Sequence, residues 1–159
     1  RAYADRPTGW LVFTGGYATG KTHLAAGIAN AVQAHGHAAI FVTVPDLLDY
    51  LRAAYGPSSQ TSFDKRFEQV RRAPLLVLDD LGTESATPWA REKLYQLLNY
   101  RYNARLATVF TTSDPIDKID PRLGARMCDQ SRCLVFGLIV PPYTKKVDLP
   151  APRRGRRRS

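Results

Sequence analysis

GGYATGKT, residues 15–22, matches the pattern G-x-x-x-x-G-K-[S/T] at every fixed position. The apolar run WLVFT, residues 10–14, precedes it, and a segment with apolar residues at helical spacing, 21–35, follows it. In a strand–loop–helix unit of this kind, N–H groups of the loop and of the first helical turn bind phosphate oxygens. The stretch therefore predicts a P-loop domain that binds a nucleotide.

The loop and the start of its helix supply the predicted nucleotide-binding residues. Lys21 is expected to reach the β- and γ-phosphates of ATP, and Thr22 to offer its hydroxyl to Mg²⁺. His23 comes next on the helix, where a role in packing or in a polar network is the alternative. The predicted set is Gly15, Gly16, Tyr17, Ala18, Thr19, Gly20, Lys21, Thr22 and His23.

Two acidic residues follow the apolar run LLVL at 75–78. If this run is a strand of the same parallel sheet, the carboxylate of Asp79 lies beside the P-loop and holds Mg²⁺ through water. Asp80 is then placed to orient or deprotonate the attacking water. A solvated strand end is the alternative interpretation of this acidic pair.

A further polar group follows the strand predicted over 107–112. In a P-loop fold with an additional strand, this strand lies between the P-loop strand and the strand that ends at Asp79. Its tip is Thr112-Ser113-Asp114, so that Ser113 or Asp114 is expected to contact the γ-phosphate or the attacking water. A capped turn before Pro115 is the alternative.

Strand-like and helix-like segments alternate along the chain, which predicts an α/β fold with a mostly parallel sheet. The strands are apolar over most of their length, as in a sheet covered on both faces. Further strands are predicted over 38–44 and 133–140, and further helices over 45–54, from a cap at Ser62, from Thr87-Pro88 to about 103, and over 121–128.

The net charge of +9 on the 159 residues is unevenly distributed. Residues 145–159 carry seven basic and one acidic side chain, a net +6, which leaves +3 for residues 1–144. We therefore expect an ATPase core over 1–144 and a basic Pro/Arg-rich tail over 145–159, disordered from about 150, that binds polyanions without specificity. Because the chain begins at Arg1, we expect a fragment or a processed form.

Composition excludes several classes of protein. With 44% hydrophobic residues, the chain is not globally disordered. No apolar run approaches the roughly 20 residues of a membrane span, and no signal-peptide pattern opens the chain. Two cysteines, Cys128 and Cys133, do not make a disulfide scaffold, so we expect a reducing compartment, the cytoplasm.

Three segments taken together resemble a known family. They are GGYATGKTHLAA at 15–26, LLVLDDLGTE at 75–84 and LLNYRYNARLATVFTT at 97–112. They are similar to the AAA+ ATPase domain of bacterial replicative helicase loaders of the DnaC/DnaI type, a group that includes the transposition helper IstB. The resemblance covers roughly residues 8–140, and GKTHLA together with LDDLG is more specific than a P-loop alone.

The resemblance implies an AAA+ P-loop fold with a five-stranded parallel sheet in the order 5-1-4-3-2. It implies a slow, partner-stimulated, Mg²⁺-dependent ATPase that binds ATP at the interfaces of a homo-oligomer. It also implies an arginine finger that reaches a neighbour's site and neutralises charge on the γ-phosphate. Arg126, in RLGAR at 122–126, is the first candidate and Arg132, in a Ser-Arg-Cys sequence, is the second; a surface arginine is the alternative for each.

The resemblance further implies a partner and DNA. The function it favours is the loading of a replicative DNA helicase onto single-stranded DNA. Alternatives are a transposition helper ATPase that acts with a transposase, and a nucleotide-binding, DNA-binding module with little turnover. Candidate DNA contacts, each with a solvated face as the alternative, are Arg101, Tyr102 and Arg105 with Tyr95 and Tyr100, and Lys65, Arg66, Arg71 and Arg72.

Two positions depart from the family pattern. The family P-loop usually has glycine where this chain has Ala18, and because alanine is small we expect a modest effect. The sensor position is usually asparagine, whereas Ser113 or Asp114 occupies it here. This second change bears on the rate of hydrolysis and not on nucleotide binding.

Overall fold

Five strands form the sheet of the computed structural model, which describes residues 2–53, 60–82 and 87–141. They are β1 (Trp10–Gly15), β2 (Ala39–Thr43), β3 (Leu75–Asp79), β4 (Ala107–Thr112) and β5 (Cys133–Leu138). The helices are α1 (Ala2–Asp5), α2 (Lys21–Ala34), α3 (Val44–Arg52), α4 (Gln60–Arg72), α5 (Pro88–Asn103) and α6 (Pro121–Met127), with a 3₁₀ turn over Ile116–Lys118. The tail expected over 145–159 lies outside the described residues.

The strands lie in the order β2-β3-β4-β1-β5, and each strand runs parallel to its neighbours. This confirms the predicted α/β P-loop fold, since 5-1-4-3-2 is the same order read from the other edge. β4 lies between β1 and β3, as expected of the additional strand. The carboxyl ends of β1, β3 and β4 therefore lie side by side at the same end of the sheet, where the P-loop begins.

An apolar core covers each face of the sheet, because buried side chains alternate between its two sides. On one face α2 packs against residues such as Val77 and Val109. On the other, α3 to α6 pack against residues such as Leu78 and Phe110. β3 and β4 are buried throughout, as predicted for a covered sheet, whereas the edge strand β5 is exposed over 134–137.

Threonine caps set the starts of two helices. The Oγ1 atoms of Thr43 and Thr87 accept N–H bonds from the third residue of α3 and of α5, and a proline stands in the first turn of each. The start predicted at Thr87 is confirmed. The start predicted at Ser62 is wrong, because α4 begins at Gln60 and Ser62 lies within its first turn.

None of the described helices combines the length and the apolar character that crossing a lipid bilayer would require. Both cysteines are free thiols, Cys128 exposed and Cys133 buried. Burial raises the pKa of the Cys133 thiol to about 12, so this side chain stays protonated at neutral pH and packs as a small apolar group.

Candidate nucleotide-binding site

The loop between β1 and α2 contains backbone conformations that restrict its sequence. Gly15 has φ 150°, and a Cβ there would lie 2.6 Å from the carbonyl oxygen of Leu138 in β5, so a larger residue does not fit. Ala18 has φ 57°, a left-handed conformation that costs a residue with a Cβ roughly 1–2 kcal/mol. The change from glycine to alanine at this position therefore affects backbone conformation as well as side-chain size.

Lys21 is the first residue of α2, and its side chain is buried. Its Nζ donates to the carbonyl oxygens of Gly15, at 2.9 Å, and Gly16, at 2.6 Å. The positive charge thus lies inside the loop, next to a helix N-terminus whose first N–H groups have no partner within the helix. A cation and a helix N-terminus at the same point favour the binding of phosphate.

Thr22 and Asp79 form the side-chain pair that links the P-loop to β3. Thr22 Oγ1 donates to Asp79, 2.9 Å from Oδ1 and 3.1 Å from Oδ2. Hydroxyl and carboxylate oxygens suit Mg²⁺, which takes few protein ligands and completes its shell with water and phosphate. In the part of the chain that the structure describes, no group of three or more His, Cys, Asp and Glu side chains could hold a metal ion. The two oxygen donors of the pair, Thr22 Oγ1 and the Asp79 carboxylate, fit a magnesium ion that binds together with a nucleotide.

A third side chain, Thr111 of β4, joins this pair, and sequence reasoning missed it. Its hydroxyl donates to Asp79 Oδ1 at 2.5 Å and accepts from the backbone N–H of Asp80 at 2.9 Å. Thr111 is fully buried. A signal was present, because a threonine inside a covered strand needs a hydrogen-bond partner. Which partner it takes depends on the β3–β4 register, which the apolar pattern does not define.

A cleft of about 220 Å³ beside these residues brings most of the predicted site together. Asp80 is exposed and has φ 56°, which turns the chain sharply at the end of β3. Asp114 does not line this cleft, and its backbone N–H instead donates to Thr112 Oγ1 at 3.0 Å. The lining residues are Tyr17, Ala18, Thr19, Gly20, Lys21, Thr22, His23, Asp80 and Ser113.

Arg126 of α6, the first candidate for an arginine finger, is bound by its own chain. Its guanidinium donates to Asn99 Oδ1 at 2.5 Å, to the carbonyl oxygen of Arg122 at 2.8 Å and to the hydroxyl of Tyr95 at 3.4 Å. The guanidinium also lies over the ring of Tyr102, 5.5 Å from its centroid. These contacts have to break before the side chain can extend toward another subunit.

Arg132, the second candidate, precedes β5 and so lies at the amino ends of the strands, opposite the P-loop. Its guanidinium lies 4.8 Å from the ring centroid of Tyr102, the tyrosine that Arg126 also contacts. A cavity of about 680 Å³ opens at this end of the sheet between residues such as Trp10, Tyr102 and Arg132. Although it is larger than the cleft at the P-loop, it contains none of the phosphate-binding residues, and we therefore place the nucleotide in the smaller cleft.

Arg101 is fully buried, and its interpretation as a DNA contact is wrong. Burial lowers the pKa of its guanidinium to about 10. The guanidinium ties the end of α5 to α4 and β4, which explains why a charged side chain lies in the core. It donates to Thr108 Oγ1 and to the carbonyl oxygens of Val70, Arg71, Ala73 and Ala107.

The other basic candidates for DNA contact lie on α4 and at the end of α5. Arg66 and Arg71 lie over tyrosine rings, 4.5 and 4.2 Å from the centroids, and Arg71 also pairs with Glu68 at 2.5 Å. Lys65 and Arg105 are exposed. These placements fit both a DNA contact and a solvated face.

Known proteins are similar to this chain in sequence. The model of the family described as "IstB-like ATP binding protein" matches residues 4–130. The replicative helicase loader DnaC of Escherichia coli (strain K12) is 26% identical over 122 residues, which is 77% of this chain and 49% of that protein. The replicative helicase loader DnaI of Bacillus subtilis (strain 168) is 28% identical over 110 residues, 69% of this chain and 34% of that protein. The chain thus spans half or less of the length of these relatives.

A solved structure shares the fold. The crystal structure of the DnaC helicase loader matches with a TM-score of 0.73 and 25% sequence identity, over 87% of this chain and 85% of that chain. The five-stranded parallel sheet described above therefore has the architecture of an AAA+ P-loop domain.

Proposed function

The chain belongs to the IstB-like ATP-binding protein family, and from that membership we propose that it is a Mg²⁺-dependent AAA+ ATPase that loads a replicative DNA helicase onto single-stranded DNA. Its relatives DnaC and DnaI are replicative helicase loaders, which supports the loader role. Because the chain spans half or less of those proteins, the helicase and the DNA are part of the proposal. A cytoplasmic location, a core over 1–144 and a basic tail over 145–159 belong to it as well.

The observation that carries the ATPase proposal is the bonded pair of Thr22 and Asp79 beside the ammonium of Lys21. In this proposal the loop N–H groups and Lys21 bind the phosphates of ATP, while Thr22 and Asp79 hold Mg²⁺. When bound, the metal would neutralise negative charge on the β- and γ-phosphates. Asp80 orients the attacking water or takes its proton as the γ-phosphate passes to water, which yields ADP and phosphate.

Ser113 is the preferred sensor residue within this proposal. It lines the cleft, whereas Asp114 does not. A hydroxyl both donates and accepts hydrogen bonds, as the usual asparagine amide does, but a carboxylate would repel the γ-phosphate. Asp114 remains the second candidate for this role.

A homo-oligomer with an arginine finger in trans completes the proposed site. Arg126 of a neighbouring subunit is the first candidate and Arg132 the second. The bonds of Arg126 to Asn99 and Arg122 support a slow basal rate, because they have to be exchanged for the γ-phosphate. A partner that favours this exchange would stimulate turnover, since a finger of this kind contributes about 10³–10⁵-fold to the rate.

Nucleotide binding and phosphate release test the ATPase proposal in the 159-residue chain with Mg²⁺. Lys21→Ala is the informative variant, and Lys118→Ala, at an exposed lysine of the 3₁₀ turn, is its matched control. We expect the wild type and the control to bind ATP and Lys21→Ala to bind at least about 100-fold more weakly, from loss of a desolvated charge contact. Equal binding by Lys21→Ala would contradict the proposal. Binding without phosphate release under any condition would favour the nucleotide-binding module with little turnover.

The family description favours a second function, a transposition helper ATPase that acts with a transposase. The longest form of the protein that its gene encodes, used as bait in its own host, separates the two. Recovery of a replicative helicase, with phosphate release stimulated by that helicase and single-stranded DNA, supports the loader. Recovery of a transposase, with stimulation by duplex DNA, supports the helper, and recovery of neither contradicts both.

A further inference from the structure

Thr111 lies at the meeting point of the two strands that carry the proposed chemistry. Val109 of β4 pairs with Val77 of β3, and both point into the apolar core beneath α2. Two residues further along each strand, the same alternation brings Thr111 and Asp79 to that face of the sheet. The backbone register thus places a hydroxyl beside a carboxylate in the direction of the P-loop helix.

The direction of both hydrogen bonds of the Thr111 hydroxyl is fixed. The backbone N–H of Asp80 can only donate, so the hydroxyl oxygen accepts there, at 2.9 Å. The single hydroxyl proton is then committed to Asp79 Oδ1, at 2.5 Å. Within residues 2–53, 60–82 and 87–141, the one hydrogen bond to Asp79 Oδ2 is the longer contact from Thr22, at 3.1 Å, which leaves this oxygen with acceptor capacity for a ligand.

Thr111 also holds the turn that leaves β3. Its carbonyl oxygen accepts from the N–H of Leu81 at 2.8 Å, in addition to the bond between its hydroxyl and the N–H of Asp80. Asp80 itself has φ 56°, a conformation that persists in a non-glycine residue when surrounding contacts enforce it. Main chain and side chain of one residue therefore fix the backbone from which the carboxylate of Asp80 extends.

Resting on the proposed ATPase function, we propose that Thr111 is a positioning residue for the metal and for the attacking water. It acts through two other residues: its hydroxyl orients the Asp79 carboxylate as a metal ligand, and the same hydroxyl fixes the turn that presents Asp80 to the cleft. One hydroxyl thus couples the geometry of metal binding to the geometry of the water-activating acid.

Thr111→Val and Thr111→Ser separate the hydroxyl from the shape of the side chain. Valine keeps the shape without the hydroxyl, and serine keeps the hydroxyl without the methyl group. We expect Thr111→Val to raise the Mn²⁺ concentration that half-saturates the protein with a non-hydrolysable ATP analogue by about 10–100-fold, measured by electron paramagnetic resonance. We expect kcat to fall by a similar factor while KM for ATP changes less than about twofold, and Thr111→Ser to behave as the wild type on both measures.

Urea unfolding of each variant shows whether it is folded, and Thr111→Ala provides a second hydroxyl-free variant if the valine variant is not. Wild-type Mn²⁺ affinity and kcat in a folded hydroxyl-free variant would overturn the inference, and so would an equal loss in Thr111→Ser. In either case the wild type still binds nucleotide and metal, so the proposed ATPase function survives. A wild type that binds no nucleotide would instead overturn the proposed function, and the inference with it.

Discussion

Strand β4 carries a buried threonine near each end, and the two hydroxyls bind buried charges of opposite sign. Thr108 lies near the amino end of β4 and accepts a hydrogen bond from the guanidinium of Arg101 at 3.0 Å. Thr111 lies near the carboxyl end and donates to the carboxylate of Asp79 at 2.5 Å. Arg101 is fully enclosed, whereas Asp79 is joined through Thr22 to an open cleft.

The two charges differ in how much of their bonding capacity the chain itself uses. A guanidinium has five N–H donors, and Arg101 bonds oxygens of its own chain through all three of its nitrogens: Nε bonds Thr108, Nη1 bonds three carbonyl oxygens and Nη2 bonds that of Ala107. A carboxylate has about four acceptor sites, and among the residues that the structure describes two hydroxyls donate to Asp79. A buried charge whose partners are all internal stabilises the fold. One with spare capacity next to a cleft is available to a ligand.

The largest effect on the free energy of unfolding is expected when the enclosed charge of Arg101 is removed. Arg101→Met keeps the length of the side chain and leaves four carbonyl oxygens and Thr108 without their donor, which we expect to lower the free energy of unfolding by about 3 kcal/mol. Urea unfolding measures this, with Arg101→Lys expected to lose less because it keeps the charge and three donors. A wild-type unfolding midpoint for Arg101→Met would show that the cluster does not stabilise the fold.

A second prediction concerns the charge with spare capacity. Asp79→Asn keeps an oxygen for the hydroxyls of Thr22 and Thr111 but removes the negative charge, so we expect the unfolding midpoint to change little. Phosphate release should fall about 100-fold or more, since a bound metal contributes several kcal/mol to catalysis. Steady-state phosphate release at saturating ATP measures it. Loss of stability comparable to that of Arg101→Met, with turnover retained, would reverse the roles of the two clusters.

The smallest effect is expected at Asp120, whose side chain is partly buried beside the more exposed Arg122. Asp120 caps α6, and its hydrogen bond from Arg122, at 3.0 Å, lowers the pKa of its carboxyl. The pKa of Asp120 is near 3.8 in the unfolded chain and lower in the folded protein, so the ionised carboxylate stabilises the folded state above pH 3.8. This stabilisation is lost as the pH falls through the pKa of the folded state. Asp120→Asn keeps the cap, so we expect a loss of a few tenths of a kcal/mol at pH 7 that becomes smaller as the pH falls below 3.8. Unfolding curves from pH 7 to 3 test this, and an equal loss at every pH would contradict it.

The α/β P-loop fold and the strand order are predicted correctly from the sequence, because both depend on segments that can be recognised one at a time along the chain. The alternation of strands and helices indicates a parallel sheet, and the family-like segments imply its order. Asp79 is the last residue of an apolar strand, so in a parallel sheet it lies at the carboxyl ends of the strands, beside the P-loop. These features required no knowledge of side-chain partners.

Arg101 and Thr111 show what the sequence pattern could not provide. Charged residues are rarely fully buried, and within α5 nothing marks Arg101 as different from the exposed Arg105 just beyond the helix. Thr111 has a partner 32 residues away, and a shift of one residue in the β3–β4 register would turn it to the other face of the sheet. Side chains that act through distant partners are therefore the ones that only the folded structure identifies.

The position of β1 in the sheet also determines when the phosphate loop can form. β1 precedes the other four strands in the chain, yet both of its neighbours, β4 and β5, come from the last third of the described residues. A nascent chain that has reached Asn103 holds the whole P-loop sequence and neither strand that flanks β1. We expect such a truncated chain to be cleaved by protease near residues 15–22 with or without ATP, whereas the complete chain is protected by ATP. The capacity to bind phosphate would then arise only after β4 and β5 have been synthesised, although the motif itself leaves the ribosome before either of these strands.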